Sequence, residues 1–179
     1  MLGGMVVATG THSPAPRQPS VTRLRKNRPA IRRLTEGERT LAREVFGAGI
    51  AAERVRILGL PFWSRAFVAG PGLIVWPSAS LRADLAAPDT PLRVQAVFVH
   101  ELTHVWQAQH GVGLLRAKLK AGDSDASYAY DLAGGPDFAH LNIEQQAMVV
   151  EHAFVASRGG ETPHPASLYA AASANWRRA

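Results

Sequence analysis

The chain has 179 residues, 46% of them hydrophobic, with 20 Lys+Arg against 14 Asp+Glu and no cysteine. That length suits one domain whose core needs no covalent staple, and the missing thiols exclude a disulfide scaffold, a zinc ribbon, an iron–sulfur site and a cysteine nucleophile. Any metal must sit on histidines and carboxylates, and the formal charge of +6 raises the question of a polyanion partner.

The charge is not spread. Residues 1–33 hold Arg17, Arg23, Arg25, Lys26, Arg28, Arg32 and Arg33 and no acid, which leaves 13 basic residues against all 14 acidic ones in 34–179. Gly, Pro, Ser and Thr break every periodicity in this stretch, so 1–33 reads as a disordered basic arm and 34–179 as the domain. Without interleaved aromatics for stacking, the arm reads as a solvated tail, and nucleic acid is not an expected partner. Its apolar stretch at 5–8 is too short for a signal-peptide core, and no later run approaches a membrane span, so a soluble, cytoplasmic chain is expected.

Within the domain, Thr35 and Glu38 have capping-box spacing, and Leu41, Val45 and Phe46 recur at helical intervals until Gly47. The period then changes to two, Val55 and Ile57 alternating with Arg54 and Arg56. Segments 65–69 and 73–76 flank Gly70-Pro71-Gly72, a hairpin signal, so 54–77 is predicted to be a small antiparallel sheet. Thr90 as N-cap and Pro91 at the first helical position open a long helix over 91–110. A short helix over 114–120, a polar loop over 122–135, a helix over 141–157 and a last one over 165–176 complete an α+β chain, mostly helical.

The long helix contains His100-Glu101-Leu102-Thr103-His104. At this chain's own composition an H-E-x-x-H string is expected by chance about 0.01 times. At 100° per residue the two histidines lie about 40° apart, one turn above each other, so both can reach one ion. Glu101 falls about 100° away, beside the ion rather than on the ligand stripe. Val94, Phe98, Val99, Leu102, Val105 and Trp106 occupy the opposite arc and anchor the helix in the core.

A catalytic zinc takes three protein ligands and keeps one position open. His110 stands at the third-ligand position of H-E-x-x-H-x-x-G-x-x-H, but Gln107 replaces the turning glycine, so the helix continues and His110 points elsewhere. Glu144, in an E-x-x-A string on the next long helix, is the better candidate. His140 and Glu151 fall on the same stripe as Glu144, as alternative ligands or as hydrogen-bonding support for the ligands. A bound zinc would activate water for peptide-bond hydrolysis, with Glu101 as general base. Tyr128 and Tyr130 on the polar loop are candidate oxyanion donors, with His140 as an alternative, and a peptide could pair along an edge of the sheet.

Three strings, Val99-His100-Glu101-Leu102-Thr103-His104-Val105-Trp106-Gln107, Tyr128-Ala129-Tyr130-Asp131-Leu132 and Ile143-Glu144-Gln145-Gln146-Ala147, resemble the small bacterial zincin-like proteins described as Vgr-related. That group is associated with Rhs, Vgr and contractile injection, type VI-like, secretion loci. The resemblance covers about residues 34–176. It implies a zincin-like metallopeptidase fold, Zn2+ on His100, His104 and Glu144, and Glu101 as catalytic base. It also implies secretion-system components as partners beside a peptide or protein substrate, and export without a signal peptide. A non-catalytic adaptor or effector module of such a system is the alternative reading. Zincins with a Glu third ligand usually carry an Asp shortly after it to orient a ligand histidine; Met148 stands there, so support must come from Glu151 or another group.

Overall fold

The computed structural model describes residues 30–122, 124–134 and 137–177. Most of the basic arm therefore lies outside the described residues, but its expected boundary needs correction. Residues Ala30–Arg33 form strand β1. The cause is Arg32, whose guanidinium forks onto both carboxylate oxygens of the fully buried Glu38, at 2.6 and 2.7 Å. Glu38 also accepts from the amides of Thr35 and Leu85, so one carboxylate ties β1, the start of helix α1 (Glu36–Phe46) and a distant loop together. Arg32 read as arm charge because its partner cannot be chosen from composition.

Helix α1 has the expected capping box, Thr35 accepting from Glu38 and Glu38 reaching back to the Thr35 amide. Two short 3-10 turns then lead into β2 (Arg56–Leu60), followed by β3 (Phe67–Val68) and β4 (Leu73–Pro77). The hairpin forms between β3 and β4, where Gly70 takes φ +85, a left-handed conformation that a side chain would oppose. The sheet is not antiparallel throughout. Its order is β1-β2-β4-β3, and β4 pairs parallel to β2, in register from Arg56↔Leu73 to Leu60↔Pro77. The chain passes over to the outer edge, lays down β3 there, and turns back between β3 and β2, which makes the two central strands run the same way.

Helix α2 (Leu92–Gln109) packs against β3, β4 and α1, and most extensively against α5 (Ile143–Ser157). Pro91 serves as its N-cap, one residue later than expected, since Thr90 turns its hydroxyl onto the Asp84 carbonyl instead. Phe98, Val99, Leu102 and Val105 are fully buried, as the helical arc requires. Truncating Leu102 to Ala is expected to cost about 2–5 kcal/mol. Between the long helices lie α3 (Leu114–Ala121) and α4 (Asp125–Tyr128). The expected last helix is two, α6 (Ala166–Ala172) and α7 (Ala174–Arg177), broken at Ser173. Trp176 is buried and packs on Phe138. The result is a mixed α+β architecture in which α2 and α5 bring the sequence motifs together.

Candidate metal centre

His100 and His104 project from α2 with ring centroids 4.9 Å apart, and Glu144 meets them from the first turn of α5. The α5 N-terminus is well built for that carboxylate. Asn142 caps the helix by accepting from the Glu144 and Gln145 amides, and the amide dipoles of the first turn favour an anion there. One ligand atom from each of His100, His104 and Glu144 lies within 4.8 Å of the others, so the cluster can hold a metal ion. The converging atoms are the two Nε2 nitrogens and one carboxylate oxygen, Oε2, at 3.5 Å from His100 and 3.6 Å from His104.

Each ligand's other polar atom is held from behind. His100 Nδ1 lies 3.0 Å from Glu151 Oε2, an acceptor, so Nδ1 carries the proton and Nε2 is turned inward. His104 Nδ1 lies 2.8 Å from Gln107 Oε1. The Gln107 amide orientation is fixed because its nitrogen donates to the Ile143 carbonyl and to Gln146 Oε1, while the Gln146 nitrogen donates to the Phe138 carbonyl. His104 must therefore donate through Nδ1. Glu144 Oε1 accepts from Lys118 Nζ at 2.8 Å, leaving Oε2 to the histidines. These outer partners set the tautomer and aim of the candidate ligands.

The electrostatics follow from the same contacts. Burial pushes the His100 imidazole down, but the carboxylates of Glu144 and Glu151 outweigh it and raise the group to about 9. Burial favours a neutral Glu144, yet hydrogen bonds from His100 and His104, with Lys118 behind, hold it well below the usual carboxylate range. Glu101 is pushed the other way, raised by desolvation that the neighbouring histidines only partly offset. Its Oε2 is buried and has no hydrogen-bond partner, so one basic oxygen beside the ligands is left for something else to satisfy.

Above this floor opens a cleft of about 1430 Å³, lined at its base by His100, Glu101, His104, Lys118, Tyr128 and Glu144. Other residues expected at the site lie elsewhere. Tyr130 does not line the cleft; its hydroxyl bonds to Tyr169 at 2.7 Å and to His152, inside the protein. Tyr128 does line it, and its hydroxyl accepts from Lys118 at 2.9 Å. His140 sits on a 3-10 turn before α5, its side chain 85% exposed beside Asp137, because Asn142 starts the helix later than expected and breaks the stripe. His110 ends α2, bonds the Trp106 carbonyl and stacks on the Trp106 ring, outside the cleft. Glu151 supports His100, which answers the Asp missing at Met148. Lys118 and Gln107 were not singled out by spacing, since both act through where a neighbouring helix returns.

Fold and cluster together define a mixed α+β domain with a His/His/Glu group able to take a metal, and comparison with known proteins links it to the Vgr-related proteins of type VI secretion. No family model matches the chain. The chain is 35% identical over 136 residues to the type VI secretion system spike protein VgrG2b of Pseudomonas aeruginosa, covering 70% of this chain but 13% of that protein. It is also similar to the solved effector domain of Pseudomonas aeruginosa VgrG2b, at 32% identity and a TM-score of 0.61, covering 81% of this chain and 83% of that one. The chain belongs to the family of the VgrG2b effector domain.

Proposed function

We propose that the domain is a zincin-like zinc metallopeptidase that acts as an effector of a secretion system. The observation that carries this reading is the pairing of two groups on one floor: three convergent ligand atoms, and the unpartnered Glu101 Oε2 beside them. Two imidazoles, whose Nε2 protons a bound metal would displace, and one carboxylate, each oriented from behind, would hold a catalytic zinc, and the cleft opens above them. When bound, zinc supplies a Lewis acid that acidifies water and polarises a carbonyl.

The chain's own residues supply the rest. Glu101 takes the proton of the attacking water at Oε2 and returns it to the leaving nitrogen, a task suited to a carboxylate whose burial raises its basicity. The Tyr128 hydroxyl, held by Lys118, faces the cleft and donates to the substrate oxygen as it gains charge. The edge strand β3 lines the same cleft and offers its backbone to an extended peptide.

Glu101→Gln separates chemistry from binding. The variant should keep about one zinc per chain, the number one three-ligand site takes, and lose cleavage of a mixed peptide library, read by mass spectrometry. Wild-type protein that holds zinc and cleaves nothing, with a Glu101→Gln form that keeps its effector role, would make the domain a non-catalytic module.

A further inference from the structure

Around the cleft mouth the surface changes character. Among the described residues the exposed large apolar side chains are Ile31, Phe62, Trp63, Phe67, Leu115 and Leu119. All but Ile31 come from two short segments, 62–67 and 115–119, which meet around the one cleft that Trp63, Phe67 and Leu115 line. Such a concentration marks a contact surface rather than scattered exposure. Phe62 is the sharpest case. The residue is 95% exposed, and its backbone sits at φ +62, a conformation that costs a non-glycine residue free energy and that so exposed a ring does little to recover.

Within the two segments that carry these side chains, the charges have one sign. Helix α3 carries Arg116, Lys118 and Lys120 and no acid, and the 62–67 segment carries Arg65 and no acid. The carboxylates in the cleft lining are Glu101 and Glu144, both down on the floor. Lys118 is engaged with Glu144 and Tyr128, whereas Arg116 and Lys120 are exposed on the same helix as Leu115 and Leu119. Leu115 and Leu119 are one turn apart and 78% exposed each, with cations beside them on the outer surface. Phe, Trp and Leu on two short segments whose own charges are Lys and Arg is the composition that settles at the headgroup level of an anionic bilayer. A protein partner would be expected to meet both signs of charge at such a rim.

We propose that this rim docks the domain onto an anionic lipid surface, with Phe62, Trp63, Leu115 and Leu119 entering the headgroup region and Arg116 and Lys120 on lipid phosphates, so that the cleft opens at the membrane. Docking of this rim needs neither bound metal nor turnover.

The test uses the full chain with phosphatidylcholine vesicles, with and without phosphatidylglycerol, at low and high salt. Partition is read by co-sedimentation, and insertion by tryptophan emission. Trp63 is the half-exposed indole, Trp76 and Trp176 are buried and Trp106 is partly buried, so a blue shift that is lost in Trp63→Phe reports the rim itself and not the basic arm. The expected result is partition onto anionic vesicles with a blue shift, weakened by salt. Partition should fall roughly tenfold or more in Phe62→Ser/Leu119→Ser and in Arg116→Glu/Lys120→Glu, with unchanged circular dichroism. Absence of partition, or partition that survives both double variants with Trp63 emission unmoved, overturns the proposal. So does concentration-dependent self-association through the rim without vesicles, which would make a second copy the occupant.

Discussion

The floor of the cleft and its rim are built on opposite principles. On the floor, each candidate ligand has its second polar atom bound by a dedicated partner, Glu151, Gln107 or Lys118, so geometry is over-determined. On the rim, large apolar side chains stand in water and one residue holds an unfavourable backbone conformation to keep its ring there. A surface that spends stability on exposure is shaped for something outside the molecule; a site that satisfies every group but one is shaped for a small, defined occupant. The proposed function puts chemistry on the floor, and the proposed docking puts recognition at the lip.

The hardest blow to the floor is removal of a ligand. Glu144→Ala should reduce zinc affinity by more than about 100-fold and bring bound metal, measured by elemental analysis after dialysis, down to background. The same truncation at the rim, Leu119→Ala, should leave zinc content unchanged. Retention of zinc in Glu144→Ala would remove that residue from the site.

A smaller break touches only the support. Gln107→Ala should weaken zinc by about 10–100-fold and lower unfolding free energy by about 1–3 kcal/mol, because His104 loses its acceptor and the Ile143 carbonyl and Gln146 oxygen lose their donor. Unchanged zinc affinity with reduced stability would mean that Gln107 packs the helices without aiming the ligand.

Behind the floor, His152 Nδ1 and the Tyr130 hydroxyl share a hydrogen bond in a desolvated place, and burial holds the imidazole below the ordinary histidine range. Because the unfolded chain then binds the proton more readily, the stability His152 contributes is complete above about pH 6.5 and declines as pH falls below that value. Denaturation of wild type and His152→Asn at both ends of that range should show a larger acid loss in the wild type. Parallel curves would place the titration elsewhere.

The mildest probe returns to the rim. Phe62→Gly removes left-handed strain worth about 1–2 kcal/mol but frees the unfolded chain, so stability should stay level or rise by up to about 1 kcal/mol. A clear loss in thermal unfolding would show that the ring is packed.

How much of this was legible depended on distance along the chain. The H-E-x-x-H spacing, the Thr35 capping box and the buried arc of α2 are local, and helical geometry alone orders them. Glu144 could be nominated because its motif sits on a second periodic segment. The parallel pairing of β2 with β4 could not be read, since a hairpin signal fixes only its own two strands and says nothing of which one turns inward. Tyr128 and Tyr130 look alike on one loop, and only the packing of α5 and α6 decides that one faces the cleft and the other Tyr169. Arg32 was hidden among neighbouring charges, and Lys118 on a helix whose destination no periodicity gives.

The link between Gln107 and Gln146 has one more implication. The two helices that carry the candidate ligands are fastened to each other by side-chain amides, in addition to their buried apolar faces. In a zinc finger the chain collapses only around its metal, whereas here protein groups on both helices make the contact between α2 and α5. The fold is therefore expected to survive removal of any bound ion, with thermal unfolding little changed by a chelator.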